Sequence, residues 1–286
     1  MSIPHSPQNA AQIELWNGPT AQRWMRLQKP IDDYLRPFAD AAIRALAPQP
    51  GERIVDIGCG AGDTTLSLAE RVQGHGYVLG VDISRPLLQR ATARAANTPE
   101  YPVRFVEADA AGYAFERAGF DALFSRFGVM FFADPAAAFA NIRRALKPGG
   151  RLAFCCWRDR RENPWVTLPV AAARQHLAEL PPAPGPDEPG PFAFADSARI
   201  QRILTSAGFA GIECEKFDPL LTYGDGTRAA ADYLTQMGPI GSVLQEHPEA
   251  LRQQVADTLA GMLEGKREPG ELRLAAAAWI VTARGE

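Results

Sequence analysis

The stretch Val55-Asp56-Ile57-Gly58-Cys59-Gly60-Ala61-Gly62-Asp63-Thr64-Thr65 constrains this chain more than any other. Glycines at alternate positions, between an apolar run and a helix-prone one, remove Cβ atoms where a strand must turn sharply into a helix. They leave room for a ligand against the backbone and the helix N-terminus. The spacing is G-x-G-x-G, with Asp56 two residues before the first glycine, and not the G-x-G-x-x-G of dinucleotide folds. A carboxylate beside the loop repels a pyrophosphate and attracts an ammonium group, so Asp56 favours a cofactor with an amino-acid end. Asp82 stands 20 residues after Gly62, at the end of the next apolar run, where a carboxylate can accept from both hydroxyls of a ribose.

The alternation repeats along the chain. Runs at Arg53 to Ile57, Tyr77 to Ile83, Val103 to Val106, Phe120 to Phe124 and Leu152 to Trp157 read as strands. Asp63 to Val72, Pro86 to Ala96 and Pro135 to Leu146 read as helices, the last two opening on proline, which the first turn tolerates. Such a pattern predicts an α/β fold, a doubly wound, Rossmann-like and mostly parallel sheet of seven strands with helical cover segments. Any ligand belongs at the edge where the strand order reverses.

After Trp157 the pattern breaks. The spacing predicts a helix over Trp165 to Leu180, and the six prolines between Pro181 and Pro191 exclude a central strand. That stretch is either a linker or an excursion that covers the site. A helix at Ser197 to Ala207, opened by Asp196 and stopped by Gly208, and a strand at Gly211 to Phe217 resume the core. Thr227 to Glu264 reads as a second helical excursion, and Leu272 to Ala283 as a final buried strand with a helix as the alternative. The expected organisation is an N-terminal helical lid over 1–50, a cofactor-binding core over 51–157, a cap insertion over 158–195, core again over 196–218, a helical insertion over 219–271 and a final core strand over 272–286.

Composition removes several function classes. A content of 46% hydrophobic and 22% charged residues suits a folded globular chain. Thirty basic against 33 acidic side chains are too balanced to neutralise a run of phosphates, so nucleic acid is not an expected partner. The longest apolar run, Leu274 to Val281, has eight residues, against the roughly 20 that span a bilayer, so no membrane is expected either. Met1 to Ala10 has neither a basic nor an apolar signal region, and Cys59, Cys155, Cys156 and Cys214 show no CxxC spacing. Reduced thiols in the cytoplasm are expected, with the oligomeric state open.

The chain resembles the class I methyltransferases that use S-adenosylmethionine, specifically their small-molecule branch, which includes quinone-pathway enzymes. The likeness spans about Gly51 to Trp157. It rests on the glycine loop, Gly80-Val81-Asp82-Ile83-Ser84, Glu107-Ala108-Asp109-Ala110, Phe120-Asp121-Ala122-Leu123-Phe124-Ser125 and Leu146-Lys147-Pro148-Gly149-Gly150, in the family's order and spacing. The resemblance implies that Asp56, Gly58, Cys59 and Gly60 meet the methionine part, Asp82 and Ile83 the ribose, and Asp109, Ala110 and Leu87 the adenine. Ser125 and Arg126, at the fourth strand end, join this cofactor set. Trp16, Trp24 and Gln28, in an aromatic leader, become lid residues near the methionine end, and Trp16, Met130 and Trp157 become walls for the acceptor. Read as plain structure, Asp56 is a helix-cap acid, Asp109 a turn former, and the leader an amphipathic helix packed on the sheet. Arg126, a charge inside an apolar run, needs a partner: a structural acid, the cofactor or an anionic substrate.

Ser125 to Phe132 contain neither the Pro-Pro-aromatic signature of base-modifying enzymes nor the clustered acids of a magnesium-dependent catechol enzyme. DNA modification is therefore disfavoured and no metal is expected. The expected reaction is direct in-line transfer of a methyl group to a small organic acceptor, with S-adenosylhomocysteine as product. The alternatives are a nicotinamide-dependent oxidoreductase, which the glycine spacing and Asp56 disfavour, and a catalytically silent cofactor-binding protein. If a base is used, His176 is the candidate among four histidines, with Tyr223 and Tyr233 comparable to it, while His75 and His247 read as surface residues.

Overall fold

A computed structural model describes residues 9–285 other than 74, 186, 225, 269 and 270. Residues 1–8, with His5, lie outside the described residues. In chain order the elements begin with α1 (Ala10–Asn17), α2 (Pro19–Arg26) and α3 (Gln28–Leu46). The core follows: β1 (Arg53–Ile57), α4 (Asp63–Val72), β2 (Tyr77–Asp82), α5 (Arg85–Ala95), β3 (Val103–Glu107), β4 (Phe120–Arg126), α6 (Pro135–Arg143) and β5 (Leu146–Trp157). Then come α7 (Pro164–Ala173), α8 (Ser197–Ser206), β6 (Phe209–Phe217), β7 (Leu220–Thr222), α9 (Thr227–Leu234), α10 (Gly238–Gln245), α11 (Glu249–Glu264), β8 (Arg267–Glu268), β9 (Glu271–Ala275) and β10 (Ala278–Gly285).

Seven strands form one sheet in the order β3-β2-β1-β4-β5-β10-β6. The pairs from β3 to β5 are parallel, and β10 runs antiparallel to both β5 and β6. The fold is thus the mostly parallel, doubly wound α/β sheet that the alternation implies. Strands covered on both faces need continuous apolar runs, and Ile54, Val55, Ile57, Val78, Val81, Leu123, Phe124 and Phe154 are all buried. Because β1 lies between β2 and β4, the strand order reverses there, and the crevice opens beyond the strands' C-terminal ends. Among the described residues no helix is long and apolar enough to cross a membrane.

Four local expectations change. The helix expected over Trp165 to Leu180 is only α7, which ends at Ala173. Its buried stripe of Val166, Pro169, Ala172 and Ala173 stops there, and the approaching prolines disfavour further helix. Thr227 to Glu264 forms three helices, broken where Gly238 takes φ +62 ahead of Pro239 and again at Pro248. The strand β5 starts at Leu146, earlier than expected, because Leu146 pairs with Phe120 across a register shift before the regular ladder begins at Arg151.

The run expected as one strand over Leu272 to Ala283 divides at Ala276 and Ala277. The first part, β9, pairs with β7 and β8 in a separate three-stranded sheet, and the second, β10, enters the main sheet. Fully buried Asn163 makes the division possible. Its Oδ1 accepts from the Ala277 N–H at 3.0 Å and its Nδ2 donates to the Ala277 carbonyl at 3.1 Å, so the backbone groups that leave the ladder stay satisfied.

Candidate functional site

A cavity of about 390 Å³, within the usual range of ligand sites, opens over the C-terminal ends of β1, β2 and β4. Its floor includes Gly58, Cys59, Gly60, Asp82, Asp109 and Phe127, and its walls come from the leader helices, the proline-rich segment, β7, α9 and α10. Trp16, Trp24, Gln28, Ile83, Leu87, Ala110, Arg126, Met130 and Trp157 all line it. One enclosure therefore brings together the glycine loop and every cover segment that the sequence marks off.

The loop is held by neighbours on both sides. Gly58 has φ +68, and a Cβ there would lie 2.8 Å from Gly128 Cα, so only glycine fits between the two turns. The Gly58 N–H donates to the Val81 carbonyl at 2.8 Å. Gly60 has φ +52, and the nearest atom to a Cβ there would be Leu87 Cδ1 at 4.0 Å, so a side chain would fill space that a ligand can take. Asp82 fastens the loop to the second strand: its Oδ2 accepts from the Gly60 N–H and its Oδ1 from the Ser84 N–H, both at 2.8 Å. Two of the roughly four lone-pair sites of a carboxylate are used, which leaves the others for hydroxyl donors. Burial raises its pKa above the ordinary aspartate value. Asp109 accepts from the Ala111 N–H at 2.9 Å through Oδ1, while its buried Oδ2 has no partner among the described residues.

Three expected site residues are corrected. Asp56 does not line the cavity; fully buried beneath the loop, its Oδ2 accepts from the Thr64 and Thr65 hydroxyls, both at 2.7 Å. It ties β1 to the first turn of α4, and burial, the largest influence, pushes its carboxyl up to about 6. Ser125 is also fully buried and does not line the cavity. Its Oγ donates to the Ile57 carbonyl at 2.8 Å and accepts from the Gly128 N–H at 3.2 Å, which fixes the approach of the two turns. His176 lies away from the cavity lining, with Nε2 at 2.7 Å from Thr258 Oγ1, because α7 packs that end of the chain against α11. His75 and His247 do not line it either.

Arg126 finds the structural acids. Its Nη2 and Nη1 contact Asp32 at 3.3 Å and Asp63 at 3.1 Å, and Arg94 contacts the same two carboxylates at 3.0 and 3.1 Å. Two cations alternating with two anions let buried charges compensate one another. The arrangement joins α3, the start of α4, α5 and the end of β4, and Gln28 adds a hydrogen bond to Asp32. Nothing local marks Asp32 for this, since its two arginine partners are 62 and 94 residues away.

The leader closes over the crevice beside the end of β2. Asn17 donates to the Ile83 carbonyl at 2.9 Å and accepts from the Arg85 N–H at 3.0 Å. Trp16 stands edge-on to Trp24 at 5.3 Å and to Phe131 at 5.4 Å. Sequence reasoning missed Asn17, although the Asn-Gly-Pro that ends α1 was a visible break. Farther along, Trp157 stacks on Phe127 at 4.1 Å. Tyr34 stacks on Tyr223 at 4.5 Å and lies 4.6 Å from Tyr233. Burial pushes the hydroxyls of Tyr223 and Tyr233 far up, away from the range of a base. Among the described residues no cluster of three or more His, Cys, Asp or Glu could hold a metal ion.

Residues 54–150 match the family described as a methyltransferase domain. Over 120 residues the chain is 37% identical to a 2-phytyl-1,4-naphtoquinone methyltransferase of Trichormus variabilis, covering 42% of this chain and 52% of the relative. Over 179 residues it is 28% identical to a demethylmenaquinone methyltransferase of Lactococcus lactis, covering 58% and 69% respectively. The chain thus spans about half the length of the first of these relatives. Its fold is similar to that of the YcgJ protein from Bacillus subtilis, with a TM-score of 0.60, 17% identity, and coverage of 88% of this chain and 99% of that one. Within the matched methyltransferase domain, the glycine loop and the acids ending β2 and following β3 share one cavity, and in this domain the chain is similar to S-adenosylmethionine-dependent methyltransferases of class I.

Proposed function

We propose that this chain transfers a methyl group from S-adenosylmethionine to a small, largely apolar organic acceptor and releases S-adenosylhomocysteine. The observation that carries this reading is the pair of carboxylates at neighbouring strand ends, Asp82 with lone pairs to spare and Asp109 with an unpartnered buried oxygen, both facing the cavity beside the glycine loop. In this reading Asp82 holds the ribose hydroxyls, and Asp109 accepts from the adenine amino group. Leu87 and Ala110 pack on the base, Ile83 flanks the ribose, and Gly58 to Gly60, Trp24 and Gln28 border the methionine end.

When bound, the cofactor supplies a methyl group already activated on a sulfonium. The chain's own residues then have to align, enclose and exclude water, and positioning of this kind contributes roughly 7–11 kcal/mol. Trp16, Phe127, Met130 and Trp157 provide an apolar wall for the acceptor, which suits a polarised reaction centre kept dry. None of the described histidines, His75, His176 and His247, lines the cavity. The tyrosine hydroxyls, held protonated, act as hydrogen-bond donors that orient an acceptor oxygen. The quinone names of the relatives support an aromatic or polyunsaturated acceptor. Four free cysteines, three of them buried, suit a reducing cytoplasm.

The test is differential stabilisation followed by turnover. S-adenosylhomocysteine at 100 times its dissociation constant adds about 2.7 kcal/mol to the folded state, so the melting temperature should rise with it and stay unchanged with NAD. Labelled methyl should pass from S-adenosylmethionine to at least one member of an apolar acceptor panel. A shift with NAD alone, or a flat response to S-adenosylhomocysteine, overturns the reading.

A further inference from the structure

Arg23 sits in the middle of α2, only 3% exposed, and it lines the cavity. A guanidinium carries five N–H donors. Here Nη2 donates to Ser242 Oγ on α10 at 3.2 Å, while Nε and Nη1 are buried without a partner among the described residues. No carboxylate of the described residues pairs with it, although the guanidiniums of Arg94, Arg126, Arg151 and Arg158 each have one. Arg26, one turn on, donates to the neutral amide of Gln236 at 2.8 Å and has no carboxylate partner among the described residues. An uncompensated buried cation is strongly unfavourable in the folded state. Burial and the nearby Arg26 push its pKa down from the ordinary value, yet a guanidinium keeps its proton in proteins. Two amides, Asn9 and Gln12, line the same cavity, each with a buried oxygen lacking a partner. Turning either about its last bond presents NH2 donors instead.

We infer that Arg23 is an anion site at the acceptor end of the cavity, and that the methyl acceptor is an apolar molecule bearing one carboxylate. A carboxylate accepts from a guanidinium fork and cancels its single charge. A phosphate dianion would need a second cation, and Arg26 is outside the cavity lining. A neutral quinone would leave the charge uncompensated. The partner of the Arg23 guanidinium among the described residues, Ser242, lies on α10 within the second excursion, whereas Asp82 and Asp109 stand at the strand ends. The inference deepens the proposed methyl transfer and rests on it for the statement that the carboxylate belongs to the acceptor and not to the cofactor.

The test uses 2-naphthoate, benzoate and decanoate against the corresponding neutral amides, with binding measured by calorimetry on the full chain with and without S-adenosylhomocysteine. The wild type should prefer at least one carboxylate over its amide tenfold or more. Arg23→Gln should abolish the preference, Arg23→Lys should keep part of it, and both should bind S-adenosylhomocysteine within twofold of the wild type. Circular dichroism and melting should show both variants folded; if Arg23→Gln fails to fold, Ser242→Ala, which frees one donor, should still alter the preference. Equal binding of all acids and amides by the wild type overturns the inference. A tenfold loss of S-adenosylhomocysteine affinity in Arg23→Gln also overturns it, because the arginine then serves the cofactor's own carboxylate. Failure of the wild type to bind S-adenosylhomocysteine, with the carboxylate preference intact, would instead sink the methyl-transfer reading and leave the anion site standing.

Discussion

Replacing Asp56 by Asn tests the strain placed beneath the glycine loop. Burial raises the carboxyl from 3.8 to about 6 in the folded chain, against the pull of the Thr64 and Thr65 hydroxyls and of Arg126. The folded state therefore binds this proton more tightly than the unfolded state, so the stability linked to it is fully present below about pH 3.8. It declines as pH rises through the window to about 6 and is gone above about pH 7. A shift of roughly two pKa units at 1.36 kcal/mol each amounts to about 3 kcal/mol. Asn imitates the protonated acid, keeps an oxygen for both threonines and does not titrate. Urea unfolding of both proteins at steps between pH 4 and 7.5 isolates the effect, because every other carboxylate is common to the pair. The stability of Asp56→Asn relative to the wild type should become more favourable by about 2.3 kcal/mol between pH 4 and 7, the part of the full span that this window covers, with equal m-values. A pH-independent difference would refute the reasoning. A difference of opposite sign would show that the hydroxyls and Arg126 outweigh desolvation.

Asp82→Asn should weaken S-adenosylhomocysteine binding tens-fold or more by calorimetry, since each charge-assisted hydrogen bond is worth roughly 1.5–3 kcal/mol, while far-ultraviolet circular dichroism stays unchanged. Gly58→Ala should destabilise the chain by at least about 1–2 kcal/mol in urea, from its left-handed φ of +68 alone, with more from the 2.8 Å approach to Gly128. Asp32→Asn leaves Arg94 and Arg126 with a single shared carboxylate and should cost about 3–5 kcal/mol, a loss that added salt does not abolish as it would for an exposed pair. Hydrogen exchange with S-adenosylhomocysteine should rise in protection across α1 and α2 as well as the glycine loop; protection confined to the loop would remove the leader from the site.

The β1-to-α4 turn, Asp82 and Asp109 were legible in the sequence because each is set by neighbours along the chain. Positive φ at Gly58 and Gly60 demands glycine whatever surrounds it, and a strand buried on both faces has to read as an apolar run. Trp16, Trp24 and Gln28 were marked only through the resemblance to the methyltransferases, and all three line the cavity. Local reasoning misjudged Asp56, because the proximity of an acid to the loop does not reveal that its carboxylate turns inward to two threonines. It likewise took Leu272 to Ala283 as one strand, since an apolar run does not show that Asn163, 114 residues away, will hold the backbone of Ala277 outside the ladder.

Sequence alone determined the sheet, the glycine turn beside the cavity and the acids at the strand ends, all of them consequences of local backbone geometry and burial. Only the tertiary structure decided which charges are paired. Arg126 meets Asp32 across 94 residues and Arg23 meets Ser242 across 219. The first cation finds a carboxylate and the second finds none among the described residues, because partner choice follows from which helices pack over the crevice, and no local pattern encodes that.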